Sequence, residues 1–445
     1  MKAEADGNRA GGGPAAGWTG RRLSAEDLSI LALETETVAG HMCKVMMLGG
    51  AIDIGLLRSS IGERLHRAPE LSMCLREVGG EPWWVPEPQV DVTYHVVESD
   101  AAGAGDHAGF SAAVAGIFAR HLDRSRPLWR IDVISRLAGG GSALIWRIHH
   151  ALADGLTAMR MAGAVLWDQR QHGEPGAAGP GAWPRSPAAG HVAHRRLAEL
   201  LAAARQTPQP WLRSPFDGHI DAQRAVAFTS AGLPELRRAA AATGGATVND
   251  AVLTVVAGGL RRWLEAHHGH LGTVRVKVPV SLHLPPAPGD DARQPGNRDS
   301  FFCLDLPLGP ADPLDRLAAI GRATRVRKQD HDAQHLDALM REVAGTPRLR
   351  RFAEHVLAHP RSFALNVSNV PGPRQPVEVL GVPVRALYTL AEIRERHALR
   401  IAVVSLAGSL HFGLVADPTL LADVDRLAGA MQAEAAALTS RLPPA

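Results

Sequence analysis

The chain has 445 residues, 46% hydrophobic and 21% charged, with a formal net charge of +3 and an isoelectric point near 9.0. That length is too great for one ordinary core and comfortable for two domains, and so small and dispersed a positive excess does not argue for nucleic acid as a partner. Three widely spaced cysteines (Cys43, Cys74 and Cys303) make no disulfide framework, and no stretch of about 18 apolar residues offers a membrane-spanning helix.

Residues 1–21 read as a disordered tail, without the apolar core of a signal peptide. Ser24 and Asp27 then mark a helix start, as N-cap and capping-box partner. His41 to Leu48 reads as a strand. Ile52 to Leu65 reads as an amphipathic helix with Ile52, Leu56, Leu57, Ile61 and Leu65 on one side. Short strands follow near Met73–Leu75 and Trp83–Val85, then a helix from Phe110 to Leu122. Trp129 to Ile134 and Ala143 to Ile148 form a hairpin in outline across a glycine run at 139–141. Trp129 is expected in the core.

The second hairpin strand leads straight into His149-His150-Ala151-Leu152-Ala153-Asp154-Gly155, and an apolar helical pattern begins at Leu156. Strand-to-helix junctions are common places for reactive groups. Side chains alternate along a strand, so if the strand runs through both histidines, one is structural and the other open to a substrate. An imidazole suits proton transfer near neutral pH; the same pair also reads as an inert, hydrogen-bonded end to a core strand. Asp154 stands at a helix N-terminus, where negative charge is favoured. It either fixes a histidine tautomer or pairs with an arginine. Gly155 leaves room for backbone or ligand. His150 and Asp154 could share a helix face as metal ligands, but a site needs three or four, and none is expected here.

A Gly/Pro/Ala-rich linker at 171–190 marks the boundary between domains at 22–170 and 191–440. Beyond it come a helix around Ala193 to Ala204, a strand near Arg224 to Phe228 and a helix near Leu233 to Ala241. Asn249 and Asp250 open a long apolar helix. They read either as capping chemistry with Thr247 or as site residues. Val274 to Val280 alternates Val with Arg275 and Lys277, a strand with one polar face. Phe301 to Leu306 is another strand, and helices fill Leu314 to Arg327 and Leu336 to Ala344. Phe363 to Val370 is a strand ended by Pro371-Gly372-Pro373. Ser368 and Asn369, just before that break, serve turn chemistry or hydrogen-bond a substrate or oxyanion. Closing strands at Val382 to Leu387, Leu399 to Leu406 and Leu410 to Val415 precede a last helix from Leu420 to Leu438. No P-loop and no GxSxG are present, which argues against NTP chemistry and a serine elbow.

The HHxxxDG run, with Pro127-Leu128-Trp129 before it and Asn249-Asp250, Val278-Pro279-Val280-Ser281-Leu282, Gly296-Asn297-Arg298, Asn366-Val367-Ser368-Asn369-Val370-Pro371-Gly372-Pro373 and His411 to Asp417 after it, resembles the bacterial wax ester synthase/diacylglycerol acyltransferase family. This family lies among the CoA-dependent acyltransferases and condensation domains, and the likeness spans about residues 22–438. The resemblance implies an α/β (α+β) fold of two chloramphenicol-acetyltransferase-like lobes around a central channel. It implies transfer of a fatty acyl group from acyl-CoA, as co-substrate and with no other cofactor, to diacylglycerol or a long-chain alcohol. His150 would accept the proton, His149 would pack, and Asp154 with Gly155 would support the turn, Asp154 through an arginine. Asn249, Asp250, Ser368 and Asn369 would lie at the substrate. The resemblance also implies a cytoplasmic protein, with peripheral contact to a membrane or lipid droplet compatible with such substrates. A carrier-protein-dependent condensation enzyme or a non-catalytic lipid-binding relative are the rival readings. His283 departs from the family's usual arginine after the VPVSL run.

Overall fold

The computed structural model describes residues 20–99, 106–135, 137, 140–168, 214–269, 272–281, 299–330, 332–336, 338, 356 and 359–442. The expected tail, linker and 193–204 helix, Gly296-Asn297-Arg298, His283 and most of the helix expected at 336–344 lie outside the described residues.

Two six-stranded sheets and one small sheet organise the described residues, with helices packed on them, an α+β architecture. The first large sheet runs β12 (Glu378–Val379), β13 (Val382–Ala391), β2 (His41–Leu48), β7 (Ser142–His149), β6 (Trp129–Ile134), β5 (Val96–Glu98). The second runs β10 (Asp299–Pro307), β9 (Thr273–Ser281), β11 (Leu365–Val370), β14 (Leu399–Leu406), β15 (Ser409–Ala416), β8 (Ala225–Gly232). The small sheet joins β1 (Arg21–Arg22), β4 (Glu81–Pro86) and β3 (Met73–Val78). Central strands β2 and β7 are buried on both faces, and read accordingly as near-continuous apolar runs. Charge within them is paired at Arg147 of β7, which donates to Asp132 of β6 at 2.9 Å and to the Arg120 carbonyl at 2.7 Å.

Helix starts follow local chemistry. Ser24 and Asp27 form the capping box of α1 (Ala25–Leu31), and Asp27 also accepts from the Trp84 indole at 3.2 Å, tying α1 to β4. In α2 (Ile54–Arg64) the apolar stripe is narrower than expected. Leu57 and Ile61 are buried, but Leu56 is 62% exposed. Asp53 caps the helix by accepting from the Leu56 amide at 2.9 Å, and one residue back from Leu57 is a turn of about 100° away from the core. Further on, α3 (Val92–His95) and α4 (His107–Phe118) precede β6, and α5 (Gly155–Val165) follows β7. Against the second sheet lie α6 (Leu233–Ala242), α7 (Val248–His267), α8 (Pro313–Gln329) and α9 (Val424–Ser440).

Strand β13 was expected to close the second half, yet it pairs antiparallel with β2, Leu390 opposite Cys43 and Leu387 opposite Met46. A buried strand needs ladder partners on both edges, and β13 supplies the one that β7 leaves open. Its backbone also lies against the second sheet: a Cβ at Gly413 of β15 would sit 2.2 Å from the Thr389 carbonyl oxygen. Strand β11 runs parallel to both its neighbours. It stays in register with β14 from Asn366 to Val370, but with β9 only at Leu365 and Asn366. Past that point β9 carries Pro279, which has no N–H for a ladder bond, and the two strands part.

Replacing Gly413 by Ala forces backbone or Leu390 to shift, so the variant should lose about 1–3 kcal/mol. Thermal denaturation reads this as a lower Tm; an unchanged Tm would show that the sheets are not in contact there.

Candidate active site

The hairpin strand β7 stops at His149, and His150 stands in the turn that follows. The two rings go separate ways. His149 is 1% exposed. Its Nδ1 accepts the Ala151 amide at 3.1 Å, so the proton sits on Nε2, which meets Glu34 at 3.3 Å. Glu34 is held in turn by Arg124 at 2.6 Å. The amide of His150 donates to the Gly40 carbonyl at 3.0 Å, and its ring lines a cavity of about 260 Å³.

Asp154 is the N-cap of α5, accepting the Thr157 amide at 2.7 Å. Its charge also acts on Lys44 of β2, a buried cation. Lys44 donates to Thr389 of β13 at 3.0 Å. Burial pushes its ammonium down to about 8, against the pull of Asp154. Gly155 is where the two sheets meet: a Cβ there would lie 2.9 Å from Val370 of β11. The HHxxxDG turn is thereby seated on the strand that parts from β9.

Along β11 the cavity is lined by Asn366, Ser368, Asn369 and Val370, so Ser368 and Asn369 share it with His150, Asp154 and Gly155. Asn249 and Asp250 do not line it. Asp250 completes the capping box of α7 with Thr247 and accepts from Thr324 at 2.7 Å, the capping chemistry that was one of its two readings.

Residues that the sequence reading passed over also line the cavity: Lys277 of β9, Arg400 of β14, and Glu392, Arg394 and His397 between β13 and β14. The alternation of Arg275 with Lys277 did signal a polar strand face, but a solvated face and a cavity wall look alike in sequence. Loss of solvent, helped chiefly by Arg400 and then by His149 and Arg394, pushes the His150 ring down to about 3. It is therefore neutral at ordinary pH, with one nitrogen able to accept a proton. Among the described residues no His, Cys, Asp and Glu side chains gather to hold a metal ion, and no helix is long and apolar enough to cross a membrane.

Comparison with known proteins matches residues 23–205 to the wax ester synthase/diacylglycerol acyltransferase catalytic domain and residues 295–439 to the WS/DGAT C-terminal domain. The chain belongs to the wax ester synthase/diacylglycerol acyltransferase family. Two candidate diacylglycerol O-acyltransferases of Mycobacterium tuberculosis are similar to it, one 28% identical over 93% of this chain and 95% of the relative, the other 29% identical over 93% and 96%. The wax ester synthase/diacylglycerol acyltransferase from Marinobacter aquaeolei VT8 shares its fold at a TM-score of 0.70 and 23% identity, covering 94% of this chain and 98% of that one. The first condensation domain of the CDA synthetase does so at 0.57 and 18%, covering 95% and 98%. The fold is thus one shared with condensation domains.

Two substitutions separate support from reaction. His149→Ala strands the Ala151 amide and the Glu34 carboxylate and should cost about 1–3 kcal/mol. Asp154→Asn keeps a capping oxygen but loses the charge beside Lys44, and a cost of about 0.5–2 kcal/mol is expected. Chemical denaturation measures both. A His149→Ala variant as stable as the parent would remove His149 from the structural role.

Proposed function

We propose that the chain moves a fatty acyl group from acyl-CoA to a hydroxyl acceptor, a diacylglycerol or a long-chain alcohol. The reaction would occur where two chloramphenicol-acetyltransferase-like lobes meet at a channel, and the cavity is part of that channel. One observation carries the reading: of the two histidines, it is His150 that lines the cavity, with a neutral ring, while His149 is committed to Glu34. At about 260 Å³ the cavity falls below the roughly 300–1,000 Å³ of most small-molecule sites. It holds the reacting ends of two substrates rather than their whole length.

The acceptor hydroxyl gives its proton to His150 as its oxygen attacks the thioester carbonyl. The C–O bond forms, the C–S bond breaks, and the leaving CoA thiolate recovers the proton from His150. No acyl-enzyme is required. A ring held near 3 is a weak base at rest, so proton transfer keeps pace with attack, as negative charge develops on the carbonyl oxygen. Ser368 and Asn369 are the donors we assign to that oxyanion, where fixed hydrogen bonds act most strongly. Asp154 and Gly155 hold the turn that presents His150.

The test is a labelled acyl-CoA offered with a panel of alcohols, products read by mass. His150→Ala should lower kcat/KM by about 10²- to 10⁴-fold while the protein stays folded; near-full turnover in that variant would end the assignment. The reactive form is the unprotonated ring, and a lowered pKa keeps that form populated into acid. With a neutral acceptor, kcat/KM should therefore show no loss from about pH 6.5 down to about pH 5, while an ordinary histidine would lose activity below about 6.5. A fall centred near 6.5 would show that the His150 ring is not held down to about 3 in the working enzyme.

A further inference from the structure

Three side chains stand in one row across the second sheet, and all three line the cavity. Register pairs Lys277 with Asn366, and Asn366 with Arg400. Paired residues on adjacent strands share a face, and the strands lie about 4.8 Å apart. Arg394, in the loop after β13, lines the same cavity.

The row is short of acceptors. The Lys277 ammonium lies 3.8 Å from the centre of the Phe301 ring and 5.5 Å from that of Phe363. Aromatic faces stabilise its charge but do not replace a true acceptor for its three N–H groups. Arg400 gives one N–H to the Glu392 carbonyl at 3.0 Å, while its Nε is buried with no partner, as is the Oδ1 of Asn366. Of the carboxylates on the cavity wall, Glu392 binds Arg224 at 2.8 Å and the Ala39 amide at 3.2 Å while its charge also favours the Arg400 cation, and Asp154 caps α5. The crowding of cations shows in their titration. Loss of solvent, with Arg394 and Arg400 beside it and against the pull of Cys303, pushes Lys277 down to about 7, and burial with Arg394, against the pull of Glu392, pushes Arg400 down to about 10. Lys277, with aromatic faces and no acceptor, and the unpartnered Nε of Arg400 leave this row short of an anion, and buried cations left so are costly.

Resting on the acyl-transfer reading of the same cavity, we propose that the acceptor is an anionic alcohol, its hydroxyl at His150 and its acidic group, carboxylate or phosphate, on Lys277, Asn366 and Arg400. Arg400 offers a planar fork for such a group and Lys277 a compact charge. Asn366, turned about its last bond, offers N–H in place of the orphaned oxygen. The reaction balances as before: the ester C–O bond forms, the thioester C–S bond breaks, and the hydroxyl proton ends on the CoA thiol.

The experiment uses the full chain, one acyl-CoA and two matched acceptor pairs: an ω-hydroxy fatty acid with its methyl ester, and a monoacylglycerol phosphate with its monoacylglycerol. For each acceptor, kcat/KM is measured, and binding is measured separately by calorimetry. In at least one pair the acid should bind and react about ten- to a hundredfold better than its neutral partner; the pair with the larger ratio tells carboxylate from phosphate. Lys277→Met and Arg400→Met should each bring that ratio towards unity, and Lys277→Arg should keep it.

Wild-type ratios near unity in both pairs overturn the proposal. So does a ratio unmoved by either Met variant. A rise in the KM for acyl-CoA alone would assign the row to CoA phosphates, and an equal loss of kcat for every acceptor would assign it to the transition state; both overturn it. If the acid binds preferentially but no acceptor is acylated, the anionic site stands and the acyltransferase reading falls. Should Lys277→Met fail to fold, the wild-type ratios and Arg400→Met still decide.

Discussion

Strand β11 is gripped unequally. It keeps β14 as a partner from Asn366 to Val370 but loses β9 after Asn366. The cavity depends on that loss. Had β9 and β11 stayed zipped, Ser368, Asn369 and Val370 would have lain beside a continuous ladder. Instead they border a space, and the N-terminus of α5 comes down on Val370 through Gly155. The bare α-carbon of Gly155 is what permits this approach. A turn from one sheet thereby meets a strand end from the other, and His150, Lys277 and Arg400 line one cavity.

The electrostatics follow from the same geometry. Charges that a sheet surface would leave in water are here drawn into a low-dielectric space, where unbalanced charge is expensive. The molecule answers differently on its two sides. Around Asp154 one opposite charge is Lys44, itself buried and hydrogen-bonded to Thr389. Around Lys277 the neighbours are more cations and two aromatic rings. One arrangement is internally balanced and positions a turn. The other leaves positive charge facing the space where a molecule would sit.

What could be read from sequence was what is local. Ser24 with Asp27 and Thr247 with Asp250 are three residues apart, and both form the expected capping boxes. The run His41–Leu48 coincides with a strand because burial on both faces leaves a near-continuous apolar signature, and Trp129–Ile134 does so through its alternation of apolar residues with Arg130 and Asp132. Alternation along a strand separated His149 from His150 on paper; in the structure the strand ends between them, and a turn rather than the pleat parts the rings. The pairing of Lys277, Asn366 and Arg400 was illegible, since it joins strands far apart in sequence through a register that no local pattern encodes. The placing of β13 was equally so: its apolar residues fit the edge of either sheet, and only the open side of β2 decides.

That placing has a consequence for how the chain is made. Strand β2 emerges from the ribosome more than three hundred residues before β13, its partner along one edge. At about 5–20 residues per second, that edge waits roughly 15–70 s for its neighbour during synthesis. Throughout that interval a run of eight largely apolar residues presents unpaired amides and carbonyls to whatever it meets, which is the kind of surface that chaperones cover and stray strands invade.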